Sequence, residues 1–123
     1  MPTYVLALYG APDDPTAFDD YYEAKHAPLA RKIPGLRSFG MSNGRAVAPD
    51  GAVAHHHVAL LEFDSLADAR RAFASPEGQA TAADLANFAT GGVSLAMFDL
   101  KDLGVAEPAH RDDAAATADG GAG

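Results

Sequence analysis

The chain alternates short aliphatic and aromatic runs with stretches of helical spacing. Thr3-Tyr-Val-Leu-Ala-Leu-Tyr9 is apolar at every second position on both faces and is stopped by Gly10 and Pro12. That pattern predicts a central strand covered on two sides. Asp14-Pro15 then supplies an N-cap followed by proline in the first helical turn, and Phe18, Tyr21, Tyr22, Lys25, His26 and Leu29 recur at helical spacing. Pro28 has no amide hydrogen, so the regular helix is expected to end or bend around His26-Ala27, with Ile33-Pro34-Gly35 as the final stop. His26 would thus sit at a helix end.

Leu36 to Ser42 and Val53 to Phe63 read as two strands of a hairpin, with turn signals at both Asn43-Gly44 and Asp50-Gly51. Ser65 caps a helix carrying Leu66, Ala69 and Phe73, and Ser75-Pro76-Glu77 starts another stretch with Leu85 and Phe88, so the second helix is expected to kink or split. Gly91-Gly92 releases the chain into a last strand, Val93 to Phe98. The order βαββαβ predicts an α+β, ferredoxin-like fold: a four-stranded antiparallel sheet with both helices on one face. Strands one and four are apolar on both faces, which would leave more hydrophobic surface on the uncovered face than a monomer tolerates. A face-to-face homodimer, a dimeric α+β barrel, is therefore expected. Residues 1–103 form the domain in this reading, and 104–123, rich in Ala, Asp and Gly, a flexible tail.

The charge of −8 disfavours phosphate backbones and anionic lipid surfaces, and the nine Lys and Arg form no cluster larger than a pair, so neither nucleic acid nor membrane is an expected partner. Cysteine is absent, which leaves His, Tyr, carboxylates and hydroxyls to carry any chemistry. No apolar run approaches the ~18 residues of a membrane span, and no basic segment precedes the first strand. The expected compartment is the cytoplasm.

Three segments are chemically suggestive. Gly40-Met-Ser-Asn-Gly44 fits the G-x-S-x-G pattern of serine hydrolases, but that motif requires a strand-to-helix elbow and here a hairpin follows. His55-His56-His57 lies inside a strand pattern, so His55 and His57 would share the face of Ala59, Leu61 and Phe63, with His56 on the other. Three ligands do not converge from such a strand, and no resident metal or other cofactor is expected; solvated His55 and His56 with a buried, neutral His57 is the simpler reading. In Tyr21-Tyr-Glu-Ala-Lys-His26, Tyr22 and His26 are four apart and share a helix face, where a phenol and an imidazole can move protons and orient an enol or carbonyl oxygen. The plain alternative is that both tyrosines are core residues and His26 answers a helix dipole.

The segment Phe18 to Phe39, FDDYYEAKHAPLARKIPGLRSF, closely resembles the hallmark of the EthD family. Leu61-Glu-Phe-Asp-Ser65, Ala74-Ser-Pro-Glu-Gly-Gln79 and Asp84-Leu-Ala-Asn-Phe88 are similar to its other signatures, so the resemblance spans roughly residues 3 to 100 and leaves out the triple His and the tail. It implies a dimeric α+β barrel with a pocket between helices and sheet in each subunit, and it places His26 at the family's characteristic histidine. Members and near relatives are associated with ether degradation beside a cytochrome, with lactone isomerisation, and with dehydration or decarboxylation in polyketide pathways.

The leading expectation is a cofactor-independent lyase, isomerase or cyclase acting on a carbonyl, lactone or aromatic polyketide-like compound. His26 would be the general acid or base and His57 a second catalytic group, while Tyr22, His55, Asn87 and Phe88 would contact substrate. A non-catalytic ligand-binding accessory protein of an oxidative pathway is the alternative, and a haem- or metal-associated oxygenase working through His26, His55 or His57 is a third.

Overall fold

The computed structural model describes residues 1–106; all of the expected tail but residues 104–106 lies outside the described residues. Strand β1 (Thr3–Tyr9) leads through Asp14, whose carboxylate accepts from the Ala17 amide, into α1 (Pro15–Tyr21). A π-helical turn (Tyr22–His26) and α2 (Ala27–Ala30) continue the same helical segment. Next come β2 (Ser38–Met41), β3 (Ala46–Val47), β4 (Val53–His55) and β5 (His57–Phe63), then α3 (Leu66–Ala74), α4 (Pro76–Asp84), a 3-10 turn (Leu85–Asn87) and β6 (Val93–Asp99).

The main sheet runs β2-β5-β1-β6 with every pairing antiparallel, which is the split βαβ arrangement expected from the sequence. Register places Tyr9 between His57 and Val93, and Val5 between Leu61 and Met97. Thr3, Val5, Ala7 and Tyr9 of β1 and His57, Ala59, Leu61 and Phe63 of β5 are all buried under the helices. Phe18, Tyr22, Ala27, Ala30, Ala69, Ala72 and Phe88 close over them from the helical side. Tyr4, Leu6 and Leu8 face the other way and are only half-buried, beside exposed Leu60 and Phe98.

Two local expectations need correction. The helix does not end at His26. The Ala27 amide donates to the Tyr22 carbonyl five residues back, and this wider turn carries the chain past the missing Pro28 amide into α2, which ends at Ala30. The strand read as Val53 to Phe63 is also broken, at His56. There the backbone bends, β4 pairs with β3 instead of the main sheet, and the His56 amide donates to the Tyr9 carbonyl. Both turn signals are consequently used, Asn43-Gly44 after β2 and Asp50-Gly51, with Gly51 at φ 93°, between β3 and β4.

The second helix splits at Ser75, which ends α3 and caps α4 by accepting from the Gly78 amide. The split folds α4 back on α3 so closely that a Cβ at Gly78 would lie 2.1 Å from the Ala72 carbonyl oxygen. This fold-back carries Asp84, at the end of α4, to the helical layer opposite His26.

Candidate active site at His26 and Asp84

His26 closes the π turn with its ring inside the molecule, 4% exposed, packed on Phe88 with ring centroids 4.6 Å apart and on Tyr22 at 5.2 Å. A one-residue widening of a helix re-aims every side chain that follows it, and such turns recur at functional sites. Here it points the imidazole across to α4, where Nδ1 lies 3.0 Å from Asp84 Oδ2.

Asp84 is buried and its two oxygens are fully engaged. The Tyr21 hydroxyl donates to Oδ1 at 2.6 Å and the Asn87 amide donates to the same oxygen at 2.9 Å. Burial alone would raise the pKa of this carboxyl, but the hydrogen bonds from Tyr21, Asn87 and His26 together outweigh it and hold the pKa below the ordinary value. An ionised carboxylate only accepts, so Nδ1 carries the imidazole proton and Nε2 is left with its lone pair. Burial lowers the His26 pKa, with Asp84 pulling partly the other way, so the ring is neutral at pH 7. The result is an imidazole base of fixed tautomer, oriented by a carboxylate.

His26 lines a cavity of about 80 Å³ between the helices and the sheet. Val5, Ala7, Ala30, Ile33, Phe39, Ala59, Leu61, Phe73, Leu85 and Leu95 form most of its wall, with Tyr9, Tyr22 and Thr81 as the polar members besides His26. Tyr22 is 2% exposed and burial raises its hydroxyl pKa, so it is a neutral phenol at ordinary pH.

The other residues singled out from the sequence fall in different places. Asn87 is exposed and holds Asp84, and Phe88 is a core ring that backs His26, Tyr21 and Tyr22. His55 is half-buried in β4. His56, expected in solvent, is buried instead: the bend turns it inward to Asp19, whose Oδ1 lies 3.0 Å from its Nε2. Asp19 also receives both terminal nitrogens of Arg45, at 3.2 and 2.8 Å, and chiefly for that reason its pKa is lowered. Among the described residues, no three His, Asp or Glu side chains are grouped to hold a metal.

His57 also packs on Tyr22, with ring centroids 4.2 Å apart. Burial depresses its pKa to about 4, so the folded state favours the neutral ring. The unfolded chain takes up this proton near the unperturbed value of about 6.5. The stabilisation from neutral His57 is therefore complete above that pH and is lost as pH falls toward about 4. Urea unfolding at pH 7 and pH 5 is expected to show a smaller acid loss of stability in His57→Leu than in the parent chain.

His26 and Tyr22 stand out in the sequence as candidates, whereas Asp84 and Tyr21 have no assigned role there. The signal for Asp84 was present, since it follows Gly78 and Thr81 on the buried stripe of α4, where a carboxylate needs a partner.

A family model described as EthD domain matches residues 12–92, which include the π turn, His26 and Asp84. The chain belongs to the EthD family. It is 46% identical over 96 residues, 77% of this chain and 91% of the relative, to an uncharacterized 11.0 kDa protein in the thcB-thcC intergenic region of Rhodococcus erythropolis. The crystal structure of an EthD family protein from Bacillus halodurans superposes with a TM-score of 0.75 at 33% identity, covering 82% of this chain and all of that one. A dimeric ferredoxin-like protein of unknown function from Thermobifida fusca shares the fold, with a TM-score of 0.63 at 17% identity over 81% of this chain and 92% of its own. No helix among the described residues is long and apolar enough to cross a membrane.

Proposed function

We propose that this EthD protein is a cofactor-independent lyase, isomerase or cyclase for a small carbonyl, lactone or aromatic polyketide-like compound, with His26 as its general base. The observation that carries this reading is the Asp84-held tautomer of His26 at the wall of an apolar cavity. Nε2 takes a proton from carbon next to a carbonyl, Asp84 stabilises the imidazolium that forms, and the same nitrogen returns the proton at a second position or to a leaving group. The neutral Tyr22 phenol donates a hydrogen bond to the developing enolate oxygen. An apolar wall strengthens each of these interactions because little water competes.

The test is exchange of carbon-bound hydrogen in D2O, followed by proton NMR over a panel of apolar ketones and lactones. Accelerated exchange that rises with pH through a pKa below 6.5 and then levels off is the expected result. Tight binding with no exchange of any panel member would favour an accessory, ligand-carrying role.

The protein is further proposed to act as a homodimer joined through the uncovered sheet face. Leu60 and Phe98, 40% and 39% exposed, lie on that face with Tyr4, Leu6 and Leu8, and the Thermobifida fusca relative is described as dimeric. Leu60→Glu is expected to convert the dimer to a folded monomer in light scattering after gel filtration; an unchanged dimer would place the interface elsewhere.

A further inference from the structure

The His26 cavity has a direction. Of the residues that line it, His26, Tyr22, Ala7 and Ala59 are buried, whereas Ala82 of α4 and Leu95 of β6 are exposed, Leu95 to 58%. β6 is an edge strand of the main sheet, so the cavity opens at the edge of the molecule, between β6 and α4.

Outside this mouth the apolar surface continues. Register pairs Leu95 with Ala7 and Met97 with Val5, and Ala7 and Val5 are both buried under the helices. Side chains recur on one face of a strand at every second residue, so Leu95 and Met97 also point to the helical side. The helical layer does not extend over them, and Met97 is 38% exposed. Successive side chains of such a row are about 7 Å apart. The next one is Asp99, whose carboxylate receives the Thr3 hydroxyl. The result is an apolar shelf that starts at the cavity mouth, runs along the edge strand, and ends at a carboxylate.

Size decides what the shelf is for. At about 80 Å³ the cavity has close to half of the roughly 150 Å³ of apolar space that takes up a benzene ring. A ring system does not fit whole. A narrow carbonyl-bearing end does, and whatever is attached to it leaves through the mouth over Leu95.

We propose that Leu95 and Met97 are the tail-binding half of the substrate site, and that the substrate has a narrow carbonyl end at His26 and an unbranched apolar tail lying along β6. A medium-chain alkyl ketone is its simplest form. The far end of the tail is uncharged or lacks acid groups, because Asp99 stands where an acid would come to rest. The inference rests on the carbonyl chemistry proposed for His26, and the experiment separates the two claims.

The probes are the straight-chain methyl ketones from 2-butanone to 2-decanone, titrated into the full chain by ligand-observed NMR. Affinity is expected to rise about twofold with each added methylene, against about fourfold for complete withdrawal from water, and to level off once the tail passes Met97. Met97→Glu places charge on the shelf and is expected to remove that rise, while Met97→Leu keeps it. Affinity independent of length in the parent chain, or a rise that survives Met97→Glu, would overturn the tail site and leave the cavity standing. A changed subunit count in Met97→Glu, seen by light scattering, would make the shelf a contact between copies and overturn it too. Binding of none of the ketones would remove the cavity reading itself, and the tail site with it.

Discussion

Replacing Asp84 with asparagine is expected to lower turnover by about 10²–10⁴-fold without unfolding the protein. The substitution keeps the shape of the side chain, and an amide oxygen still accepts from Tyr21 or His26. It removes the charge that fixes the proton on Nδ1 and that stabilises the imidazolium formed when Nε2 takes a proton. The loss should fall on kcat more than on KM, since the apolar wall proposed to bind substrate is untouched. The pH limb is expected to move as well. Asp84 now offsets part of the burial that lowers the His26 pKa, so its neutralisation shifts the limb to still lower pH. Steady-state kinetics from pH 4 to pH 8 on the parent chain and the variant measures both effects. A change in KM alone would mean that Asp84 shapes the cavity without acting through His26.

The second large effect is expected from Gly78→Ala, far from any substrate. An added Cβ would meet the Ala72 carbonyl oxygen at 2.1 Å and Phe73 Cα at 2.7 Å, and neither is the movable end of a side chain. Relief requires α4 to back away from α3, at a cost of about 1–3 kcal/mol. Asp84 is at the far end of α4, so the same displacement lengthens its contact with His26. Chemical denaturation should therefore show lowered stability and the activity assay a lowered kcat in the same variant. If stability falls and kcat does not, the dyad has more tolerance than its hydrogen-bond geometry implies.

The fold was legible in the sequence because its elements are marked locally. Period-two runs, Asp14-Pro15, Ser65, Ser75-Pro76 and Gly91-Gly92 set the order strand, helix, strand, strand, helix, strand, and that order leaves few ways to bury one helical layer on one sheet. The break at His56 was not legible. It arises when Asp19 and Arg45, distant in sequence, meet the histidine and draw it inward, against the alternation expected of a strand. The path of the helix past Pro28 was hidden for a related reason. A proline signals a lost hydrogen bond, but whether the helix stops or widens depends on what the following turn packs against, and Ala27 and Ala30 are both buried in the core. In the candidate site, His26 and Tyr22 were visible as neighbours on one helix face. Asp84 was not, because it lies 58 residues from His26 and meets it only through the fold-back at Ser75.

His26 is proposed to be the general base. Hydrogen exchange from apolar ketones and lactones in D2O, compared between the parent chain and His26→Ala at pH 7, reports on this role, with circular dichroism and gel filtration confirming that both have the same fold and assembly. Exchange catalysed by the parent chain is expected, with a loss of about 10²–10⁴-fold in the variant and ligand affinity changed far less. Undiminished exchange in His26→Ala would rule out His26 as the base.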